Sequence, residues 1–291
     1  MQIEIDQDIN LKLFEKSLTQ KFFDAIHSNE NREDEYVSNL QRKYDQYEKL
    51  EERITDAIDN KFKSDGTPDF FIFYQEQLAG IFEFHPLSEE DFIEVGYWLF
   101  PEYRRKRIIS AIFPKMIQYT RDHFFKDKIL ATTSVDNLPS QKLLDNVQFQ
   151  KTGRILEFKQ KSGEVEKEIE YVYPLNYLCV TTEKYEIAYP DPLILKPGDE
   201  VTIIESETGP EWIGWHFCKD QSGKEGWISE KYMRINSQLK TGTITNSYTA
   251  KELNIEPDQE VEVTNESFGW VWCKTENDEG WLPKNILKDL R

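Results

Sequence analysis

The chain has few cysteines and no long apolar run. Its three cysteines, Cys179, Cys218 and Cys273, are odd in number, distant in the sequence and without the paired spacing of a zinc site. They predict neither a disulfide framework nor a bound metal. No stretch approaches the roughly 18 consecutive apolar residues of a membrane span, and the polar start MQIEIDQDIN lacks the apolar centre of a signal peptide. We therefore expect a cytoplasmic protein with no membrane partner.

Positive charge is also scarce. The sequence contains 36 Lys and Arg against 54 Asp and Glu, which gives a formal net charge of −18. Such a charge repels phosphate backbones and anionic lipid surfaces, so general nucleic-acid binding is disfavoured. The same charge is compatible with a basic protein as substrate or partner.

The composition that is present predicts a folded protein with several domains. With 38% hydrophobic and 13% aromatic residues, the chain is typical of globular rather than disordered proteins, and 291 residues predict two or three domains. Apolar residues recur every three or four positions over 33–62, which predicts amphipathic helices. β-rich runs at 70–74, 78–84 and 92–100 follow, so an α/β domain is expected over 1–175.

The C-terminal part contains an internal repeat. KPGDEVTII (196–204) parallels EPDQEVEVT (256–264), GWHFCK (214–219) parallels GWVWCK (269–274), and KEGWISEKYM (224–233) parallels DEGWLPKNIL (278–287). The offsets are 60, 55 and 54 residues, about the length of a small β-barrel. We therefore expect two small β-barrel domains, here named repeat 1 (178–236) and repeat 2 (239–291).

Two motifs in the α/β domain resemble a known family. YWLFPEYRRKRIISA (97–111), followed by NLPSQKLLDNVQF (137–149), resembles the GNAT superfamily of acyl-CoA-dependent N-acetyltransferases, especially the branch that acts on ribosomal-protein N-termini. The resemblance covers roughly residues 8–175 and implies a mixed sheet with flanking helices and acetyl-CoA as co-substrate. It also implies a strand that splays from its neighbour, followed by an Arg/Gln-x-x-Gly-x-Gly/Ala loop and a helix.

The resemblance implies that the start of this helix receives the coenzyme A pyrophosphate. Unpaired amides at a helix start, aided by the helix dipole, hold phosphate oxygens, and glycines let the backbone come close. The residues implied to bind the coenzyme are Leu99, Phe100, Arg104, Arg105, Lys106, Arg107, Ile108, Ile109, Ser110 and Asn137.

The loop departs from the family pattern at its glycine positions. Arg107 and Ile109 occupy them, and Arg105 stands at a preceding position that is often Gly. Arg105, Lys106 and Arg107 place three cations where a polyanionic ligand is expected, so side chains as well as amides can hold phosphate. Two interpretations stay open, namely a side-chain phosphate site and a retained fold that has lost coenzyme binding.

Other residues are candidates for the chemistry. Asn137 and Ser140 match the family's Asn-x-x-Ser, which implies contacts with the pantetheine arm and thiol, although Asn137 equally suits a helix N-cap. Acyl transfer to an amine needs a base for the amine proton and an acid near the departing thiolate. Glu94 and Glu83 are the candidate bases, Ser140 is the candidate near the thiol, and His85 is interpreted as structural.

The two repeats resemble SH3 domains, whose aromatic grooves bind polyproline helices. The matching groove residues are Tyr185, Trp215 and Tyr232 in repeat 1 and Tyr248, Trp270 and Pro283 in repeat 2. Ser229 replaces a groove proline and Ile286 a groove tyrosine, so each groove is incomplete and a non-polyproline surface is favoured. Because a contiguous aromatic patch is costly to expose, we expect a partner or the first domain to cover these side chains.

Two functions from different classes follow. The favoured one is an enzyme that transfers acetyl from acetyl-CoA to a peptide or protein amine, with the SH3-like repeats recruiting the substrate or a partner. The alternative is a catalytically inactive binding protein of the interaction, immunity or inhibitor type, which uses its three domains as a protein-binding surface. The state of the coenzyme cleft distinguishes the two, and the sequence leaves the oligomeric state open.

Overall fold

The structure is a computed structural model that describes residues 2–28, 35–61, 68–86, 91–159, 165–209 and 212–290. Contacts divide the chain into two units: residues 1–117 with 128–173, and residues 118–127 with 174–291. The helices in the described ranges are α1 (Thr19–Ile26), α2 (Glu35–Lys43), α3 (Tyr47–Lys61), α4 (Ile108–His123) and α5 (Leu138–Asn146). None of them is long and apolar enough to cross a membrane.

The first unit contains a mixed eight-stranded sheet. Its strands are β1 (Gln2–Glu4), β2 (Ile9–Leu13), β3 (Phe70–Tyr74), β4 (Gln77–Pro86), β5 (Phe92–Leu99), β6 (Lys128–Ser134), β7 (Gln150–Lys159) and β8 (Val165–Pro174). They lie in the order β1-β2-β3-β4-β5-β6-β8-β7, and β5 runs parallel to β6 while the pairs from β1 to β5 are antiparallel. The sheet with its five helices is the α/β fold that the sequence predicted.

Different helices pack against the two faces of this sheet. On one face, Ile81 and Trp98 join a buried cluster that includes apolar residues of α1, α2 and α3. On the other face, the Phe82 and Tyr97 rings contact the Phe113 ring of α4, at centroid distances of 5.8 and 5.3 Å. Because neighbouring strand residues point to opposite faces, this sheet is buried on both sides by apolar contacts.

The second unit is built from β-strands. They are β9 (Tyr177–Thr181), β10 (Ile194–Leu195), β11 (Glu200–Ser206), β12 (Trp215–Lys219), β13 (Glu225–Ser229), β14 (Met233–Asn236), β15 (Thr241–Ile244), β16 (Tyr248–Thr249), β17 (Glu260–Ser267), β18 (Trp270–Lys274), β19 (Glu279–Pro283) and β20 (Leu287–Asp289). Two five-stranded sheets have the orders β13-β12-β11-β15-β14 and β19-β18-β17-β9-β20, and β10 pairs with β16.

The two sequence repeats exchange their first strands. Strand β9 belongs to repeat 1 by sequence but pairs with β17 and β20 of repeat 2. Strand β15 belongs to repeat 2 by sequence but pairs with β11 and β14 of repeat 1. Each sheet is therefore completed by a strand from the other repeat. The boundaries at 178–236 and 239–291 stay a prediction, to which the structure adds this exchange.

Charged side chains are buried within the second unit. The Glu266 carboxylate, 2% exposed, accepts hydrogen bonds from the Tyr177 hydroxyl (3.0 Å) and the Gln118 amide (2.6 Å), and it pairs with Lys284. The Lys231 ammonium donates to the Arg121 carbonyl oxygen at 2.7 Å. Burial lowers the pKa of Lys231 to about 7. Residues 118–127 thus make polar contacts with the rest of the second unit.

The three cysteines are free and buried. Burial raises the pKa of Cys218 and of Cys273 to about 12, so at pH 8 almost none of either thiol is ionised. Because the thiolate is the reactive form, these side chains report whether their surroundings are folded.

The strand exchange predicts that repeat 1 cannot fold without repeat 2. A chain that ends at Asn236 lacks β17 and β20, the two neighbours of β9, and lacks β15, the shared neighbour of β11 and β14. We expect Cys179 and Cys218 of this shortened chain to react with a thiol reagent at pH 8 at the rate of the denatured protein. In the full-length chain, the control, both thiols should react at least about 100-fold more slowly. Protection retained in the shortened chain would show that repeat 1 can use its own first strand.

Candidate active site

Strands β5 and β6 diverge after a short parallel pairing. The paired positions run from Phe92 opposite Lys128 to Glu94 opposite Leu130, whereas β5 itself continues to Leu99. The divergence opens a gap between two central strands of the sheet, and Glu94 occupies the last paired position. The predicted splay is therefore confirmed.

The loop after β5 has the backbone conformation that glycine favours. Leu99 and Phe100 are buried, and the Arg104 guanidinium donates from Nε to the Leu99 carbonyl oxygen at 3.0 Å. Arg105 and Arg107 then have φ values of 61° and 60°, which lie in the left-handed region. A side chain in that region costs roughly 1–2 kcal/mol, so the loop keeps this geometry at an energetic cost.

Helix α4 begins directly after this loop. The amides of Ile108, Ile109 and Ser110 have no carbonyl partner within the helix, because an α-helix leaves its first amides unpaired. The Ser110 hydroxyl donates to the Arg107 carbonyl oxygen at 3.1 Å. The Ile109 side chain is 6% exposed, so it packs against protein instead of projecting from the helix start.

The three cations of the loop have different surroundings. Arg105 and Arg107 are exposed, and neither forms an ion pair with the described residues. The Lys106 ammonium lies 5.1 Å from the centroid of the Tyr74 ring and 5.2 Å from that of Tyr103. Lys106 is thus held over two aromatic rings, whereas the two arginines are available to a polyanion, for which guanidinium groups are well suited. The side chains of this loop fit a pyrophosphate.

Asn137 and Ser140 lie at the start of α5. The Asn137 side-chain oxygen accepts a hydrogen bond from the Ser140 amide at 3.2 Å, so Asn137 is a helix N-cap, one of the two roles its sequence position allowed. The Ser140 hydroxyl lies 2.9 Å from the Tyr97 hydroxyl on β5. Burial raises the pKa of Tyr97 to about 12, so this phenol carries its proton at neutral pH.

Tyr97 was not among the candidate residues, although it begins the motif on which the resemblance rests. Its partner Ser140 lies 43 residues away, and only the fold brings the two hydroxyls together. A tyrosine two residues before Leu99, on the strand expected to splay, was the available sequence signal.

The two candidate bases lie on the same face of the sheet. Glu83 is opposite Gly96, and His85 is opposite Glu94, in the antiparallel pairing of β4 with β5. Glu94 accepts a hydrogen bond from the Thr132 hydroxyl at 3.2 Å. Tyr97 points to the other face, because it is three positions from Glu94 along the strand.

Glu83 belongs to a partly buried charged group. The Arg53 guanidinium donates to Glu83 at 2.8 Å and to Asp69 at 3.0 Å. Burial raises the pKa of Glu83 first of all, and the neighbouring Asp69 charge raises it further, while Arg53 and His85 oppose the shift. A carboxylate with a raised pKa is a better proton acceptor near neutral pH than an exposed one.

His85 lies beside this group, although the sequence interpretation treated it as structural. A Cβ atom added to Gly96 would lie 3.0 Å from His85 Nε2 and 4.0 Å from a Glu83 oxygen. Because Gly96 has no side chain, it leaves room for the side chains of His85 and Glu83. The alternation of Glu83 and His85 on β4, opposite Glu94, was the sequence signal for this arrangement.

The predicted groove aromatics of the two repeats contact one another. Trp215, Tyr232 and Tyr248 are 6%, 5% and 4% exposed and belong to one buried cluster. The Tyr232 and Tyr248 rings, from different repeats, are 4.7 Å apart between centroids. Pro283 is buried, and Tyr185 and Trp270 are half-buried.

The expected cover for these side chains was a partner or the first domain. Phe125, which lies within 1–175, packs against the Tyr232 ring with 4.8 Å between centroids, so part of this expectation is borne out. The structure adds a source of cover that was not expected, because the other repeat covers these side chains through the shared cluster. Because Trp215, Tyr232 and Tyr248 are buried, they do not form two separate exposed surfaces. Contacts between the six residues and a partner stay a prediction.

Comparison with known proteins agrees with this geometry. Residues 11–150 match the acetyltransferase (GNAT) domain family, and residues 178–236 match the variant SH3 domain family. The first domain is therefore similar to GNAT acetyltransferase domains. Residues Tyr97–Ala111, with the splay, the loop and the start of α4, all lie in the matched region.

A curated relative is similar to part of the chain. The uncharacterized N-acetyltransferase YoaA of Bacillus subtilis (strain 168) is 29% identical over 89 residues, which are 30% of this chain and 50% of that protein. The chain thus spans about half the length of this relative.

Two solved structures share the fold of the first domain. The microcin C7 self-immunity acetyltransferase MccE, in complex with acetyl-CoA and AMP, has a TM-score of 0.51 at 18% identity. The match covers 59% of this chain and 95% of the MccE chain. The ribosomal L7/L12 alpha-N-protein acetyltransferase RimL, in complex with coenzyme A, has a TM-score of 0.50 at 15% identity, with coverages of 60% and 98%.

The left-handed backbone of the loop predicts an unusual response to glycine. Arg107→Gly should leave the free energy of unfolding unchanged or raise it by about 1 kcal/mol, because glycine removes the strain of φ 60° and offsets its own entropic cost. The control is Glu102→Gly in the same loop, at an exposed residue whose backbone is outside that region, and it should lower the free energy of unfolding by about 1 kcal/mol. Urea unfolding measures both, and equal losses for the two variants would contradict the strained conformation.

Proposed function

We propose that this protein is an acetyl-CoA-dependent N-acetyltransferase that acts on a peptide or protein amine. The observation that supports this most is the loop before α4. Arg105 and Arg107 stand at positions where the family pattern has or often has glycine, and both have a left-handed backbone. A chain that no longer bound coenzyme would have no need to keep a strained loop beside a helix start.

The proposed coenzyme site combines amides with side chains. The first-turn amides of α4 hold pyrophosphate oxygens, and the exposed Arg105 and Arg107 guanidiniums neutralise their charge. The gap between β5 and β6, beyond Glu94, accommodates the extended pantetheine arm. Acetyl-CoA supplies an activated acetyl group there, and the protein supplies the proton acceptor and donor.

The acceptor amine is proposed to lose its proton on the Glu94 side of the sheet. Glu94 marks the point where the strands diverge, and Glu83 and His85 lie on the same face. One of the two carboxylates, directly or through water, takes the proton as the amine nitrogen bonds to the acetyl carbon. The raised pKa of Glu83 suits a base at neutral pH.

The leaving sulfur is proposed to gain its proton on the opposite face. The Tyr97 hydroxyl is protonated because burial raises its pKa to about 12, and it lies 2.9 Å from the Ser140 hydroxyl. Tyr97 or Ser140 donates a proton as the carbon–sulfur bond breaks, and the Asn137 cap holds the α5 end that carries Ser140. A substrate that enters the gap between β5 and β6 can reach side chains on both faces of the sheet.

The C-terminal repeats are proposed to recruit the protein that is acetylated. Repeat 1 is a variant SH3 domain by its family match, and repeat 2 is proposed to be a second SH3-like domain because it shares the internal repeat and the exchanged strand topology. The net charge of −18 favours a basic substrate protein. An acceptor of the ribosomal-protein type is a finer proposal that rests on the motif resemblance in residues 97–149.

Binding of acetyl-CoA tests the coenzyme site. We expect titration calorimetry to detect binding that weakens as salt concentration rises, because exposed charges are screened. Arg107→Glu should weaken the affinity by at least about 10-fold, since it reverses a charge beside the pyrophosphate. The control, Lys115→Glu, makes the same charge change on the exposed side of α4 and should leave the affinity within about twofold. No binding at millimolar acetyl-CoA would favour the inactive binding protein instead.

Removal of the proposed base tests the chemistry. Glu94→Gln should lower kcat by about 10²-fold or more and leave acetyl-CoA binding intact, because glutamine keeps the shape but cannot accept a proton. Glu83→Gln is the same test for the second candidate, and Glu157→Gln, an exposed residue of β7, is the matched control. Full turnover in both Glu94→Gln and Glu83→Gln would rule out this assignment.

A further inference from the structure

Two acidic side chains of the first unit share one arginine. The Nη2 atom of Arg53, a residue of α3, donates to Glu83 Oε1 at 2.8 Å and to Asp69 Oδ2 at 3.0 Å. Because one nitrogen serves both acceptors, the two carboxylates are close neighbours. Arg53 thus supplies one positive charge to two negative charges, and the group stays negative when all three side chains are ionised.

Asp69 is the member of this group that is held in place by other bonds. It directly precedes β3, and its side chain is 7% exposed. Its Oδ1 atom accepts a hydrogen bond from the Phe84 amide at 3.3 Å, and its Oδ2 atom accepts the bond from Arg53. Both oxygens of Asp69 therefore have donors within the protein, and these donors favour its ionised form.

Glu83 is the member that has an oxygen left for a substrate. Its side chain is 18% exposed, and Oε1 accepts the bond from Arg53. Among the described residues, none donates a hydrogen bond to Oε2. A Cβ atom added to Gly96 would lie 4.0 Å from Oε2, and Gly96 lies on β5 beyond its last pairing with β6. A proton that Glu83 takes up therefore goes to Oε2, on the side of the diverging strand.

Several charged or titratable groups surround Glu83. Burial raises the pKa of Glu83 most, the Asp69 charge raises it further, and the basic neighbours, Arg53 first among them, lower it. Asp69 and Arg53 are thus the two side chains with the largest opposite effects on Glu83. The neighbours are Asp69 before β3, Arg53 of α3, Lys43 of α2, His85 of β4 and, on the same face of the sheet, Glu94 of β5.

We propose that Arg53 and Asp69 are positioning residues for Glu83, which takes the amine proton on Oε2 during acetyl transfer. The inference rests on the proposed function and deepens it, because it selects Glu83 over Glu94 as the proton acceptor. Arg53 holds Oε1, so the carboxylate keeps one orientation with Oε2 near Gly96. Asp69 adds a second negative charge, which favours proton uptake by Glu83.

The step balances without any further reactant. The amine nitrogen bonds to the acetyl carbon, and its proton moves to Glu83 Oε2. The carbon–sulfur bond then breaks, its electron pair leaves on sulfur, and the sulfur gains the proton that Tyr97 or Ser140 donates. Arg53 and Asp69 touch neither the amine nor the thioester in this step and act only through Glu83.

The titration of Glu83 tests this arrangement without a substrate. It is followed by carbon-13 NMR of the full-length protein labelled at its glutamate side-chain carboxyl groups, and Glu83→Gln assigns the resonance. Asp69→Asn should move the midpoint to lower pH by at least about 0.5 unit, because it removes a neighbouring negative charge. Arg53→Met should move it at least as far to higher pH, and Arg53→Lys, which restores the charge, should return it toward the wild-type value. The control Asp56→Asn removes an exposed charge of α3 and should shift the midpoint by less than about 0.2 unit.

The pH profile of kcat is the second readout. Its acid limb should move to lower pH in Asp69→Asn and to higher pH in Arg53→Met, because only ionised Glu83 accepts a proton. Arg53→Met should also lower kcat on the plateau by about 10-fold or more and change KM by less than about twofold, since Oε2 loses its orientation. A purely structural role of Arg53 would lower stability and leave the acid limb in place.

Three results would overturn the proposal. They are an unchanged Glu83 midpoint in Arg53→Met, a shift in Asp69→Asn no larger than in Asp56→Asn, and full turnover in Glu83→Gln. Circular dichroism checks that each variant is folded, and Arg53→Met with Arg53→Lys carries the test if Asp69→Asn does not fold. Absence of acetyl transfer by the wild-type protein would instead contradict the proposed function, whereas the NMR midpoints test the link between the three side chains in either case.

Discussion

The parallel pairing of β5 with β6 ends after three residue pairs, and the candidate site depends on this ending. A fully paired sheet would use the backbone amides and carbonyls of both strands and leave no room between them. Because the pairing stops at Glu94, the strand that carries Tyr97 turns away from its neighbour. The proposed site uses this gap, with the carboxylates on one face of the sheet and the Tyr97 and Ser140 hydroxyls on the other.

The loop that follows β5 is a second constraint on the site. Its left-handed residues, Arg105 and Arg107, lie just before the start of α4, and the Arg104 contact to the Leu99 carbonyl holds the loop in place. Arginine in place of glycine at such positions adds positive charge, but it makes the left-handed backbone energetically less favourable. The exchange is reasonable where the ligand is a polyanion, because each guanidinium offers several donors in a fixed plane.

The sequence predicted those parts of the fold that depend on residues close together in the chain. The motif at 97–111 predicted the splayed strand, the loop and the helix, because strand, loop and helix follow one another directly along the chain. The pair of Tyr97 with Ser140 and the group of Arg53 with Glu83 were not predicted, since each joins residues at least 30 apart with no periodic signal. The strand exchange was also missed, because β9 and β15 occupy equivalent positions in two similar repeats and suit either sheet.

The exchange of β9 and β15 also bears on the order in which the chain can acquire structure during its synthesis. Strand β9 leaves the ribosome about 80 residues before its partner β17 and about 105 residues before its other partner, β20. Contacts of such sequence separation form slowly, since a long loop must close first. Until then, the apolar side chains of β9 lack their sheet, so the nascent C-terminal half is a natural client for chaperones that shield exposed strands.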